Sequence, residues 1–152
     1  MFRDETGEEI GYANSLWVLV DTNTRKITQS SEVQSRLPDT TQLKSRIGLP
    51  ATVHALAGEI HEKKMIPRFT DFDVNQHLNN TKYLDFCCDA LGYDVMKQIH
   101  VMSFEVNYES EILPGSDVRT ELVLNDDQFS ILGYTNDMRH FAIGGQLSKR
   151  NA

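Results

Sequence analysis

The sequence predicts an α+β domain in which an antiparallel sheet is laid around one helix, and three features predict it. Near the middle, "TKYLDFCCDAL" places Leu84, Cys87 and Leu91 at helical spacing, with Tyr83, Phe86, Cys88 and Ala90 widening the apolar surface. Four strand-like runs follow, "VMSFEVNYES", "DVRTELVL", "FSILGYT" and "HFAIGGQL", separated by "LPGS", "NDDQ" and "NDMR", which are good turn compositions. Ahead of the helix, "KMIPRF" is short, apolar and carries a proline, which suits an edge strand or a strand start. One strand, one helix and then a meander is an α+β plan.

The helix is expected to run for about 11 to 13 residues, from Asn79 to Leu91. Asn79 or Asn80 can cap its first turn, and Gly92 stands where a left-handed C-terminal cap belongs. Because it is apolar over most of its circumference, it must be buried on most sides. A curved antiparallel sheet wrapped about a central helix provides that cover, which is the hotdog arrangement. In "VMSFEVNYES", alternation puts Met102, Phe104, Val106 and Tyr108 on one face and Glu105, Asn107 and Glu109 on the other.

The first third reads differently. Residues 10–20 alternate loosely and end in "SLWVLV", a strand entering a polar turn at Asp21 to Thr24 and then a second short strand. Trp17 reads as core. Residues 29–62 form a polar connector with Pro38 and Pro50, and a short surface helix is expected after Asp39.

Bulk properties exclude several classes. With 152 residues the chain has the size of one domain, and its net charge of −7 argues against a general binder of nucleic acid or of anionic membranes. No apolar run approaches the roughly 18 to 20 residues of a spanning helix, and "MFRDETGEEIG" lacks the apolar core of a signal peptide. The two cysteines, Cys87 and Cys88, are adjacent, so they offer no disulfide framework and suit a reducing compartment; a cytoplasmic protein is expected. Both read as helix packing, since apolar burial raises a thiol's pKa. His54 and His61 have no Cys or carboxylate partners at useful spacing, and neither a glycine-rich phosphate loop nor a Gly-x-Ser-x-Gly elbow is present. The expectation is no metal and no organic cofactor.

The segment "DFDVNQHLNN", residues 71–80, is the densest chemistry in the chain. Asp73 and Asn75 are residue types that build turns by capping neighbouring amides, so a solvated turn into a helix cap is one reading. Asp73, Asn75 and His77 gathered before a helix N-terminus is equally a set of groups gathered for chemistry.

This segment resembles the signature of the acyl-acyl-carrier-protein thioesterases, in which Asp-x-Asn-x-His precedes an Asn-Asn pair and the central hotdog helix. Asp73, Asn75 and His77 fall on its catalytic positions, and Asn79, Asn80, Lys82 and Tyr83 on the cap and first helical turn. The resemblance implies a catalytic Glu at the end of the strand after the helix, where Glu109 falls, and Ser110 takes a position often held by Cys in the plant enzymes. A looser His-x-Asn-Asn pattern occurs in acyl-CoA thioesterases of the same fold.

The implied activity is hydrolysis of fatty acyl thioesters on acyl carrier protein, in fatty acid biosynthesis. Asn75 would orient water or polarise the carbonyl, His77 would give or relay a proton near neutral pH, and Asp73 would hold one of them. Glu109 would be the general base, and the helix N-terminus the oxyanion site. Strand parity, however, sends Glu109 outward unless the strand end is bulged. Asn79, Asn80 and Tyr83 would contact substrate. Lys63, Lys64, Arg68 and Lys82 are candidates for docking an acidic carrier protein.

Family members carry two hotdog repeats. Against that pattern, residues 1–28 read as the closing strands of a first repeat, 29–62 as the linker and 63–152 as a complete second repeat. The expectation is therefore a fragment, whose exposed sheet edge invites a homodimer. The competing readings are an acyl-CoA thioesterase and a non-catalytic acyl-binding or dimerising module.

Overall fold

The computed structural model describes residues 1–21, 23–24, 26–39 and 46–150. The chain divides into two compact units, Met1–Ala51 and Thr52–Ala152.

The N-terminal unit contains two small antiparallel ladders. Strand β1 (Phe2–Arg3) pairs with β2 (Glu9–Gly11), and β3 (Leu19–Val20) pairs with β4 (Ile27–Thr28). The second ladder is the hairpin that the sequence predicts. Asp21 shapes its turn by accepting from the backbone N–H groups of Asn23 (3.0 Å) and Thr24 (2.7 Å). Trp17 is not core: it is 80% exposed, because two-residue ladders offer no sheet face broad enough to bury an indole. Helix α1 (Ser31–Arg36) is capped by Ser30, whose Oγ accepts from the Val33 N–H. It ends at Leu37, where the following Pro38 enforces an extended backbone. The helix expected after Asp39 falls on residues 40–45, outside the described residues.

The second unit is built on a five-stranded antiparallel sheet. Its strands are β5 (His61–Met65), β6 (Ile99–Tyr108), β7 (Val118–Leu124), β8 (Gln128–Thr135) and β9 (Met138–Lys149), in the order β5-β7-β8-β9-β6. Strands β7 to β9 form a meander, while β5 and β6, on either side of the helix in sequence, take the two edges. Two helices lie between them in the chain, α2 (Lys82–Leu91) and α3 (Tyr93–Gln98).

Period-two alternation sorts the central strands into two faces. Phe129, Ile131, Phe141 and Ile143 pack with Tyr83, Cys87, Ala90 and Leu91 of α2 in the main core. On the opposite face Leu132 and Ala142 pack with Val53. The segment carrying Val53 is tied down by two bonds: its N–H donates to Asn107 Oδ1 (2.6 Å), and the Leu56 N–H donates to Ser130 Oγ (3.0 Å). This is the α+β hotdog plan, with α2 as its helix. Where β6 meets β9 the backbones leave no room for a side chain: a Cβ on Gly145 would lie 2.2 Å from the Ser103 carbonyl oxygen.

Three details depart from the sequence reading. Helix α2 begins at Lys82, with Thr81 as an N-cap that makes no side-chain capping bond, so neither asparagine is the cap. Its burial is one-sided, since Leu84 is exposed and Cys88 is only half-buried. The expected alternation of β6 breaks where its register with β9 shifts between Val101 and Ser103, leaving Met102 without a partner in the ladder and 64% exposed. Beyond the shift Val106 packs on the core while Phe104 and Tyr108 are 45% and 50% exposed, because β6 is an edge with one neighbouring strand. Gly92 is the C-cap of α2 as expected, but with φ +86° and ψ 160° it is extended rather than left-handed helical, and it turns the chain directly into α3, a helix the sequence reading missed. Among the described residues, no helix is long and apolar enough to cross a membrane.

Candidate active site

The polar loop is closed by its own backbone. Phe72 and Leu78 form an isolated antiparallel bridge, and the Asp73 N–H donates to the His77 carbonyl (2.9 Å). Inside this closure the Asp73 carboxylate accepts from the N–H groups of Asn75 (2.8 Å) and His77 (3.1 Å). Gln76 takes a left-handed conformation at φ +62° to complete the turn. The alternating Asp-x-Asn-x-His spacing thus has a physical reason: one carboxylate gathers the amides two and four residues on. Those bonds, the His77 amide foremost, hold the Asp73 carboxyl below its ordinary value. The turn-residue reading of Asp73 is correct, and it positions Asn75 and His77 through their backbones. Asn75 itself is exposed beside it.

Two further bonds attach the loop to its surroundings. Leu78 N–H donates to the Ile112 carbonyl (3.0 Å), which joins the loop to the segment leaving β6. Asn79 N–H donates to the Asp71 carbonyl (2.8 Å). Asp71, 2% exposed, anchors a 3₁₀ turn (Phe69–Asp71) by accepting from the Arg68 N–H (2.7 Å). The Asn79 side chain accepts from the Thr81 N–H and hydroxyl at 3.0 and 2.9 Å, shaping the turn into α2.

The Leu78–Ile112 bond brings His77 beside Glu111. His77 Nε2 lies 3.3 Å from Glu111 Oε2, with both side chains partly exposed. Glu109, the carboxylate singled out in the sequence, is engaged elsewhere. Arg139 grips it with both arms of its guanidinium, Nε to Oε2 at 2.8 Å and Nη2 to Oε1 at 2.7 Å, and this pairing raises the Arg139 pKa.

A bulge accompanies these two placements of glutamate. The N–H groups of Glu109 (2.9 Å) and Ser110 (3.1 Å) both donate to the carbonyl of His140, so two residues share one rung at the end of β6. Past this shared rung the chain leaves the sheet, and Glu111 comes to lie beside His77. Nothing in an alternation pattern marks such a bulge; the second Glu in "YESE" was the one available signal.

Tyr108 donates through its hydroxyl to the Asn80 carbonyl (3.2 Å), and its ring meets Tyr83 edge-on at 4.9 Å. Tyr83 is 3% exposed, also edge-on to Phe141, and burial pushes its hydroxyl up to about 12. It therefore supports the first turn of α2 from within the core. Asn80 is exposed at the same turn. Burial likewise pushes Cys87 up to about 12, which removes the thiolate a nucleophile needs, and raises Cys88.

The four cations considered for docking are all engaged within the domain. Lys63 Nζ donates to the Ala90 carbonyl (2.6 Å), satisfying the C-terminal end of α2. Lys64 pairs with Asp117 at 2.8 Å, Arg68 approaches Asp71 at 3.7 Å, and Lys82 pairs with Asp85 at 3.1 Å. Lys63, Lys64 and Arg68 nevertheless line one cleft of about 250 Å³ together with Met65, Phe86 and Asp89.

A helix on a five-stranded antiparallel sheet, with a polar Asp-Asn-His loop leading into the helix N-terminus, defines a hotdog domain of the thioesterase kind. Residues 55–143 match the acyl-ACP thioesterase C-terminal domain, and the chain belongs to that family. It is 30% identical over 132 residues to a chloroplastic dodecanoyl-[acyl-carrier-protein] hydrolase of Umbellularia californica, covering 76% of this chain and 32% of that protein. The corresponding hydrolase of Cinnamomum camphora is 27% identical over 113 residues, covering 70% of this chain and 30% of that protein. Among solved structures, an acyl-ACP thioesterase from Bacteroides thetaiotaomicron superposes with a TM-score of 0.78 at 20% identity, covering 96% of this chain and 60% of that one. The 12:0-ACP thioesterase of Umbellularia californica gives a TM-score of 0.69 at 21% identity, covering 86% and 53%. The chain thus spans about a third of the length of these curated relatives.

Proposed function

We propose that this chain carries the catalytic half of a hydrolase that releases fatty acids from acyl carrier protein. Residues 63–152 are the catalytic hotdog repeat, 1–28 the closing strands of a preceding one, and 29–62 the linker. The observation that carries the reading is the His77–Glu111 pair, held beside the first turn of α2 by the Leu78–Ile112 bond.

In this reading the thioester carbonyl points at the N–H groups of the first turn of α2, where a helix presents free donors and partial positive charge. Water is held by Asn75 and deprotonated by Glu111, with His77 orienting the carboxylate or relaying the proton to the departing thiolate. Water oxygen adds to the acyl carbon and the carbonyl electrons move onto oxygen; collapse of that oxyanion re-forms the carbonyl and breaks the carbon–sulfur bond, the thiolate leaving with the relayed proton. Asp73 keeps the loop in the geometry that this needs. Glu111 replaces Glu109 as the base, since Glu109 is committed to Arg139.

Carrier docking belongs to the cleft bordered by Lys63, Lys64 and Arg68, with Lys82 at the helix start. Cations there keep one face attractive to an acidic partner although the chain is acidic as a whole. The exposed face of β6, with Met102, Phe104 and Tyr108, is the surface for a second hotdog, supplied by a second copy of the chain.

The test is hydrolysis of a saturated chain-length series, each acyl group presented on acyl carrier protein and on coenzyme A. Release should be faster from the carrier protein, and His77→Ala should reduce it roughly 10²-fold or more. Faster release from coenzyme A would reassign the carrier. No release from either, by the intact folded protein, would leave only an acyl-binding module.

A further inference from the structure

Glu111 leaves the sheet between two clamps. One is the Leu78–Ile112 bond already described. The other lies two residues upstream, where β6 ends against β9: the His140 carbonyl takes both the Glu109 and Ser110 amides, and Arg139 takes both oxygens of Glu109. Both halves of this second clamp fall on adjacent residues of β9, so they fix the same bulge through the backbone and through a side chain.

We propose that the Glu109–Arg139 pair is a positioning device that sets the aim of Glu111 onto His77. The inference rests on reading Glu111 as the catalytic carboxylate. A bulge is a local departure from the ladder, and a strand end without further restraint can revert to regular pairing. Regular pairing would return Glu111 to the face of Glu105 and Asn107, away from the loop. A planar guanidinium that holds one carboxylate by two parallel bonds resists that slip better than a single contact would, because it fixes orientation as well as distance. The pair is partly exposed, at 37% for Arg139 and 30% for Glu109, so its contribution to global stability is small. Its consequence lies in geometry, where a displacement of about 1 Å at a reacting group can cost as much as 10²-fold in rate.

The experiment compares Glu109→Gln, Arg139→Gln and the charge-swapped double variant Glu109→Arg/Arg139→Glu with Glu111→Gln, by steady-state hydrolysis and circular dichroism. Each single variant of the pair should lose roughly tenfold in kcat with KM within about twofold of the parent. The charge-swapped protein should recover most of that loss, and Glu111→Gln should be far more damaged than any of them. A charge-swapped protein as inactive as Glu111→Gln would show Glu109 to be a reacting group itself and overturn the proposal. Parental kcat in both single variants would also overturn it. If the charge swap does not fold, Arg139→Lys decides: it keeps the charge but loses the fork, so a kcat equal to the parent's would contradict the proposal. Parental activity in Glu111→Gln would instead bring down the underlying assignment of the base.

Discussion

His77 Nε2 stands 3.3 Å from Glu111 Oε2, across the join between a self-closed loop and a bulged strand end. The two residues are 34 positions apart in sequence, and two backbone features bring them together: the Leu78–Ile112 bond and the shared His140 carbonyl. The loop and the strand end are joined through backbone, so substitution of His77 or Glu111 can silence the chemistry without dissolving the site.

The Asp73 loop should be acid-labile in a defined direction. Its carboxyl sits below the ordinary value of 3.8 in the folded state, chiefly because it accepts the His77 amide. A depressed carboxyl contributes stability that is complete above the unfolded value and disappears as pH falls through the folded one. The stability gap between the parent and Asp73→Ala, followed by urea denaturation, should therefore be constant from pH 7 to about pH 5 and close below about pH 4. A gap unchanged down to pH 2 would contradict the assignment.

The cysteines should differ in reactivity. Cys87 is 1% exposed with its thiol pushed up to about 12, while Cys88 is half-buried. Iodoacetamide at pH 8 should alkylate Cys88 first, with Cys87 following only on unfolding, as read by peptide mass. Cys88→Ala should hydrolyse normally; a large loss would restore a thiol to the mechanism.

Gly145→Ala should be among the most disruptive small substitutions. The added Cβ would meet the Ser103 carbonyl at 2.2 Å and the Phe129 ring at 2.7 Å, so β6 must move from β9. Overpacking of this kind costs about 1–3 kcal/mol, and activity should fall with it because β6 carries the bulge. A midpoint of denaturation equal to the parent's would show that the strands part freely.

The exposed face of β6 should mediate self-association. Sedimentation at micromolar concentration should give a dimer for the parent and a monomer for Phe104→Lys. A monomeric parent would remove the second copy from the account.

Much of this fold was legible from residues. The helical spacing of Leu84, Cys87 and Leu91, the turn compositions between the last strands and the glycine at position 92 led to the helix and meander, because each is a local signal. The polar density of residues 71–80 and its resemblance to an Asp-x-Asn-x-His signature also marked Asp73, Asn75 and His77 as one loop. What escaped reading was non-local. Glu109 and Glu111 have the same parity in a regular strand, and the two amides sharing the His140 carbonyl interrupt that strand between them. Trp17 looked like core because composition cannot report how much sheet lies above a residue. The role of Lys63 was hidden for the same reason, since its partner carbonyl lies 27 residues away.

The central claim is that Glu111, presented by a bulge to His77, activates the water. The most direct measurement is single-turnover hydrolysis of acyl carrier protein thioester by Glu111→Gln, with folding verified by circular dichroism. The account predicts a loss of roughly 10²-fold or more. Turnover within a few-fold of the parent would contradict it.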